Sequence, residues 1–199
     1  VITGWNGSSV SDMELSELVS KIKTDPDEHL TLSIERDGEE LEVELTRRAV
    51  KIPTVEYEML EDQIGYIRLL EFDEVTAQQF EDAMSDLESQ GMEKLIIDVR
   101  NNPGGVLQTV CDMLDQLLPE GMIVYTEDKN GKRTEYTSDE EHQFTKPLAV
   151  LVNGNSASAS EIFAGAVQDY GIGTIVGTTT FGKGIVQKIF YLSDGTGLK

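Results

Sequence analysis

The chain has 199 residues, 39% of them apolar, enough for a sizeable core in one or two domains. Its 37 acidic against 16 basic residues give a formal charge of −21, which argues against nucleic acid and anionic membranes as partners, because both need a basic surface. No apolar run approaches the ~20 residues of a membrane-spanning helix, and a single cysteine, Cys111, cannot form a disulfide within the chain.

Residues 1–48 read as a small module. Trp5-Asn6-Gly7-Ser8 is a turn signal. Ser11-Asp12-Met13-Glu14 matches a capping box, and Leu15, Leu18, Val19 and Ile22 follow at helical spacing until Asp25-Pro26 ends the pattern. Leu30, Leu32 and Ile34, then Leu41, Val43 and Leu45, alternate with polar residues on either side of Asp37-Gly38, which predicts a β-hairpin. Residues 49–62 read as a linker, because Lys51-Ile52-Pro53 permits only extended or edge-strand structure. From residue 63 the core begins. Ile64–Leu70 is a strand, and Phe80, Ala83, Met84 and Leu87 form a helical stripe that Thr76 can cap and Gly91 ends. Lys94–Val99 is a buried strand, so the β–α–β alternation predicts an α/β fold with a partly parallel sheet and packed helices.

Asp98-Val99-Arg100-Asn101-Asn102-Pro103-Gly104-Gly105 follows that strand. Gly-Gly between a strand and a helix lets backbone N–H groups approach a ligand closely, as an oxyanion hole requires, although the same residues also make a plain turn. Cys111 falls in the stripe Leu107, Val110, Cys111, Leu114, Leu117, as a small core residue. Met122–Thr126 and Arg133–Thr137 flank Asn130-Gly131, a hairpin signal. Leu148–Val152 is short enough for a buried strand, Asn153–Ala157 is a turn of mostly small residues, and Ala159, Ile162, Phe163, Ala166, Val167 and Tyr170 line one face of a helix. Strand, tight turn and helix N-terminus in that order is where α/β enzymes place a nucleophile or bind an anion.

Ser156, Ser158 and Ser160 compete for that position. Ser158-Ala159-Ser160-Glu161 matches a capping box, which alone would account for Ser158. A serine nucleophile needs a base. His29 and His142 both sit in polar turns and read as solvated, so a Ser–His–Asp triad is not supported. Lys183 lies between Gly182 and Gly184, ahead of an apolar run to Leu192 that reads as a strand. Small and apolar neighbours desolvate an amine and favour its neutral form, which can accept a serine proton. Period-two alternation would put Lys183, Ile185 and Gln187 on one face, with Gln187 placed to orient the amine; as a surface-turn residue Lys183 would do none of this. Two histidines and one cysteine, far apart in sequence, show no metal-ligand spacing, and no cofactor is implied.

The run Ser156–Ile162, with Phe181-Gly182-Lys183-Gly184 and Gln187 downstream, resembles the C-terminal processing peptidases, or tail-specific proteases, which use a serine–lysine pair. The resemblance covers nearly the whole chain. It implies a mixed, crotonase-like sheet core with packed helices, with Ser158 as nucleophile and Lys183 as general base, positioned by Gln187. It also implies an oxyanion hole from Gly104 or Gly105 together with Ala159, and an accessory role for Asp169, which helical spacing alone leaves solvated. Residues 1–48 resemble the second half of a PDZ domain, with the peptide-pairing strand expected before Val1. The implied substrates are polypeptides bound by their C-terminal tails. The implied site of action is outside the cytoplasm, with an export segment expected upstream. The chain reads as cut at both ends, which leaves the Ile185–Leu192 strand an unpaired edge through which two copies could associate. Two rivals share the scaffold: a catalytically impaired peptide-binding protein, and a crotonase-like acyl-CoA enzyme, which would need a basic cluster that the sequence lacks.

Overall fold

A computed structural model describes residues 1–25, 29–48, 52–139, 141–187, 189–192 and 195–199. The chain divides into two compact units, Val1–Lys51 and Ile52–Lys199.

In the first unit, strands β1 (Ile2–Trp5) and β2 (Ser8–Ser9) precede helix α1 (Leu15–Thr24), and strands β3 (His29–Arg36) and β4 (Glu39–Thr46) follow it. The sheet order is β2-β1-β3-β4. Hairpin register sets Leu30 opposite Leu45, Leu32 opposite Val43 and Ile34 opposite Leu41, so the apolar alternation becomes one continuous face. The Asn6-Gly7 signal does make a turn, but it joins β1 to β2, two strands that the sequence does not announce. The expected capping box at Ser11 does not form. Ser11 Oγ bonds Ser9 Oγ at 3.0 Å, and the helix starts after Glu14 with no side-chain cap. The helix stop at residue 26 lies outside the described residues.

The second unit holds strands β5 (Val55–Leu60) and β6 (Ile64–Leu69), helix α2 (Thr76–Ser89), strand β7 (Lys94–Asp98) and helix α3 (Leu107–Asp115). Then come the hairpin β8 (Gly121–Glu127) and β9 (Arg133–Ser138), strand β10 (Leu148–Val152), helix α4 (Ala159–Asp169), strand β11 (Thr174–Gly177), and the short pair β12 (Phe190–Tyr191) and β13 (Gly197–Leu198). The main sheet runs β11-β10-β7-β6-β5. It is parallel except for β5, which pairs antiparallel with β6. Phe80 and Leu87 of α2, Leu114 of α3 and Phe163 of α4 are fully buried with Ile67, Ile97 and Val150 of the sheet. Truncating Phe163 to alanine would cost about 3–5 kcal/mol, the range for a buried aromatic.

Two expectations are corrected. Residues 49–62 are not a linker throughout: Val55–Leu60 is the edge strand of the core sheet, and the unit boundary falls before Ile52. Only one side of this strand is paired and Val55 is its one buried residue, so its glutamate-rich alternation gives little sequence signal. Downstream, 185–187 is not a strand. The expected long strand shrinks to Phe190–Tyr191, and it is not left unpaired, since it pairs antiparallel with Gly197–Leu198. Residues 193 and 194 lie outside the described residues.

Because β7 and β10 are adjacent and parallel, with Asp98 paired to Leu151, the segments leaving their carboxyl ends emerge side by side. Carboxyl ends of parallel strands are where open α/β sheets bind ligands.

Candidate active site

The segment leaving β10 separates the three serines. Ser156 Oγ donates to Val99 O at 2.7 Å and accepts Asn153 N–H at 3.0 Å. Ser160 Oγ donates to Asn102 O at 2.9 Å. Both are 0% exposed, with hydroxyls committed to backbone carbonyls. Ser158 is half-buried, immediately before α4, with φ 57° and ψ −115°. Non-glycine residues rarely adopt such a backbone, which costs about 1–3 kcal/mol. On a strand-to-helix turn it is the geometry that lifts a nucleophile's side chain clear of its surroundings.

The segment leaving β7 lies against this turn. Asp98, 2% exposed, ends the strand and accepts the Tyr66 hydroxyl at 2.7 Å and Arg100 Nη2 at 2.6 Å. Burial pushes the Asp98 carboxyl up, but the Arg100 and Tyr66 hydrogen bonds and the Arg100 charge outweigh it and hold the carboxyl below its ordinary range. Asn101, at φ 63°, accepts from the side-chain amides of Asn153 (3.0 Å) and Asn155 (2.9 Å). Asn102 O accepts Ala157 N–H at 3.1 Å. Gly104 (φ 102°) has no room for a side chain: a Cβ there would lie 2.6 Å from Ala157 O and 2.8 Å from Ser158 Cβ. The two glycines differ in what their N–H groups do. Gly104 is buried and donates to Asn102 Oδ1 at 2.9 Å. Gly105 is exposed, and among the described residues its N–H and that of Ala159 have no acceptor.

Glu161 joins these elements to the lysine. Its Oε2 accepts Ser158 N–H at 2.9 Å and Lys183 N–H at 2.8 Å; its Oε1 accepts Gly182 N–H at 2.6 Å and the Thr180 hydroxyl at 2.8 Å. Burial raises the Glu161 carboxyl, but these four donors more than offset it and hold it below the usual carboxylate range. Ser158, Ala159, Gly105, Lys183 and Gln187 line one cavity of about 690 Å³, whose walls include Val106, Val124, Ile162 and Val186. Lys183 is half-buried and Gln187 exposed.

Asp169 stands apart. It is exposed at the far end of α4, ten residues beyond Ala159, roughly 15 Å along the helix axis, and does not line the cavity. His29 and His142 are exposed as expected, and neither lines the cavity. Among the described residues, the one cluster whose ligand atoms could hold a metal ion is Asp139, Glu141 and His142, all exposed and likewise off the cavity wall. Sequence reasoning missed two contributors. The capping-box match pointed to the Glu161–Ser158 contact but not to the reach across to 182–183. Nothing in the sequence distinguished Asn102 from an ordinary turn asparagine.

Comparison with known proteins fits this geometry. The profile of peptidase family S41 matches residues 63–199. The carboxyl-terminal-processing protease of Synechocystis sp. is 38% identical over 203 residues, covering 99% of this chain and 48% of that protein. The probable CtpA-like serine protease of Staphylococcus aureus is 36% identical over 203 residues, covering 100% of this chain and 40% of that protein. Among solved structures, the photosystem II D1 C-terminal processing protease superposes with a TM-score of 0.65 at 32% identity, covering 99% of this chain and 55% of that one. The chain therefore spans about half the length of these relatives.

Proposed function

The chain belongs to peptidase family S41, and on that footing we propose that it is a serine endopeptidase of the C-terminal processing type. Ser158 is the nucleophile and Lys183 the general base. The neutral Lys183 amine takes the Ser158 hydroxyl proton as Oγ bonds to the scissile carbonyl carbon. The resulting oxyanion is held by the N–H groups of Gly105 and Ala159, two donors on the cavity wall beside Ser158 that have no acceptor among the described residues. Collapse breaks the C–N bond, and the leaving amine receives the proton from Lys183. Water, deprotonated by the same amine, then hydrolyses the acyl-enzyme. Gln187 orients the Lys183 amine from the same cavity. Each oxyanion donor contributes about 3 kcal/mol of transition-state stabilisation.

One observation carries this reading. A single carboxylate, Glu161, accepts hydrogen bonds from the backbones of both Ser158 and Lys183, which open onto one cavity. The likeness to carboxyl-terminal-processing proteases favours polypeptide substrates cut near a C-terminus, and we take these to be bound by their tails. The first unit, one helix and a four-stranded antiparallel sheet, reads as a partial PDZ domain that would bind such tails by strand addition. The catalytic sheet reads as crotonase-like, the site of action as extracytoplasmic, and self-association through exposed strand edges as a further property.

The test is cleavage of an unfolded protein, followed by mass spectrometry, together with labelling by a fluorophosphonate probe. The wild type should cleave and label at Ser158, and Ser158→Ala should do neither. Cleavage by Ser158→Ala at the wild-type rate would refute the assignment.

A further inference from the structure

Asn102 is 0% exposed, yet its polar groups are committed on four sides. Its Nδ2 donates to Leu69 O at the end of β6, at 2.9 Å. Its Oδ1 accepts Gly104 N–H at 2.9 Å. Its carbonyl accepts both Ala157 N–H at 3.1 Å and Ser160 Oγ–H at 2.9 Å, and its own N–H donates to Val99 O at 3.3 Å. Of these five bonds, two run to Ala157 and Ser160 on either side of Ser158 and Ala159, one to the neighbouring strand, one to the glycine loop and one back to Val99.

We propose that Asn102 is the positioning residue of the oxyanion hole, an inference that rests on the peptidase reading above. It acts in two ways. Its side chain withdraws Gly104 N–H from the cavity, so that Gly105 N–H is the donor left facing the substrate carbonyl. Its carbonyl grips the residues on either side of Ser158 and Ala159, which fixes the distance between the two donors. The chemistry calls for asparagine. An ionised aspartate accepts from Gly104 but cannot donate to Leu69 O, and leucine of the same shape leaves a buried donor and a buried acceptor without partners. Gly104 transmits the constraint directly, because a Cβ on it would lie 2.9 Å from Ala159 N. Oxyanion donors act only when held at hydrogen-bond distance from where the charge develops, so small displacements of either loop cost rate rather than binding.

The experiment uses this chain labelled with ¹⁵N-glycine and ¹⁵N-alanine, free and reacted with a peptide boronic acid, whose adduct on Ser158 mimics the tetrahedral intermediate. In the free protein the Gly104 amide should exchange slowly with solvent and the Gly105 amide fast. On adduct formation the Gly105 and Ala159 amide resonances should shift and gain protection, while Gly104 stays put. An adduct in which Gly104 responds and Gly105 does not overturns the inference alone. A boronate that forms no adduct on Ser158 sinks the peptidase reading and this inference with it. These readings need no variant, so they stand even if Asn102→Ala does not fold. Where it folds, Asn102→Ala should lose about 100-fold in kcat with KM within about threefold. Thr54→Val, which removes a buried hydroxyl pair with Thr76 in the same unit, should leave kcat unchanged. Equal kcat losses in the two variants would reduce Asn102 to a purely structural role.

Discussion

Replacing Glu161 with glutamine tests whether one carboxylate organises the site. The glutamate offers two oxygens to four donors: Ser158 N–H, Lys183 N–H, Gly182 N–H and the Thr180 hydroxyl. Glutamine has the same shape but one oxygen, and its amide N–H₂ would face donors. Two charge-assisted bonds are lost, and at ~1.5 kcal/mol each, the low end for a half-exposed group, Glu161→Gln should destabilise the second unit by about 3 kcal/mol. That corresponds to roughly 6–12 °C in Tm for a unit of this size. The pH dependence gives the loss a signature. The folded Glu161 carboxyl lies below its ordinary value, near ~4.3 for a free glutamate, so its stabilisation is complete above that pH and fades as the pH falls through the folded value. Other carboxylates titrate alike in both proteins and cancel in the difference. Urea unfolding from pH 7 to pH 3 should therefore show the gap between wild type and variant closing in acid. Cleavage at pH 7 should drop about 100-fold as the backbone of 182–183 comes loose from Ser158. A gap that stays constant into acid, or no gap at pH 7, would refute the role given to Glu161.

Further outcomes follow from the same geometry. Lys183→Arg should abolish cleavage while leaving the melting temperature within a degree or two of wild type, because arginine stays protonated and cannot act as base; retained turnover would exclude the lysine. Ser156→Ala should cost about 1–3 kcal/mol by orphaning Asn153 N–H and leaving Val99 O only its longer bond from Asn102 N–H, with fluorophosphonate labelling of the folded fraction preserved. Gly104→Ala and Gly182→Ala separate crowding from backbone strain. The first meets Ala157 O at 2.6 Å and should be inactive, whereas the second meets nothing within 4 Å and should cost only about 1 kcal/mol for its φ of 88°. Asp98→Asn should lower stability by about 2 kcal/mol at pH 7, since the charge on Arg100 loses its buried partner, and less in acid, where Asp98 is itself protonated.

Elements with strong periodicity were legible in the sequence. The buried strands β7 and β10 read as apolar runs between turn signals, and α4 read from its stripe down to Glu161 at N3. The Asn130-Gly131 hairpin was equally plain, with Gly131 at φ 79° as its turn demands. Edges and long-range bonds were not legible. β5 carries glutamates on a strand paired along one side only, which local reasoning cannot tell from a linker. The segment 182–187 has no repeating partner: its Gly182 and Lys183 amides are held by a glutamate some twenty residues earlier, so strand alternation was the wrong rule for placing Lys183 and Gln187. Gly104 and Gly105 could not be separated by pattern, because what distinguishes them is a buried asparagine side chain. Ser158 stood out in the sequence only by resemblance, and its backbone conformation is a second and independent mark.

That conformation sets a conflict between endurance and turnover. Glycine occupies positive φ without penalty, so Ser158→Gly should release strain that Ser158→Ala retains. The glycine protein should melt higher than the alanine one and, lacking the hydroxyl, should hydrolyse nothing. Selection of this chain for heat resistance alone would drift toward glycine at position 158 and discard the hydroxyl. If Ser158 is the nucleophile proposed above, its strained backbone is the stability given up for that hydroxyl, legible at a single residue.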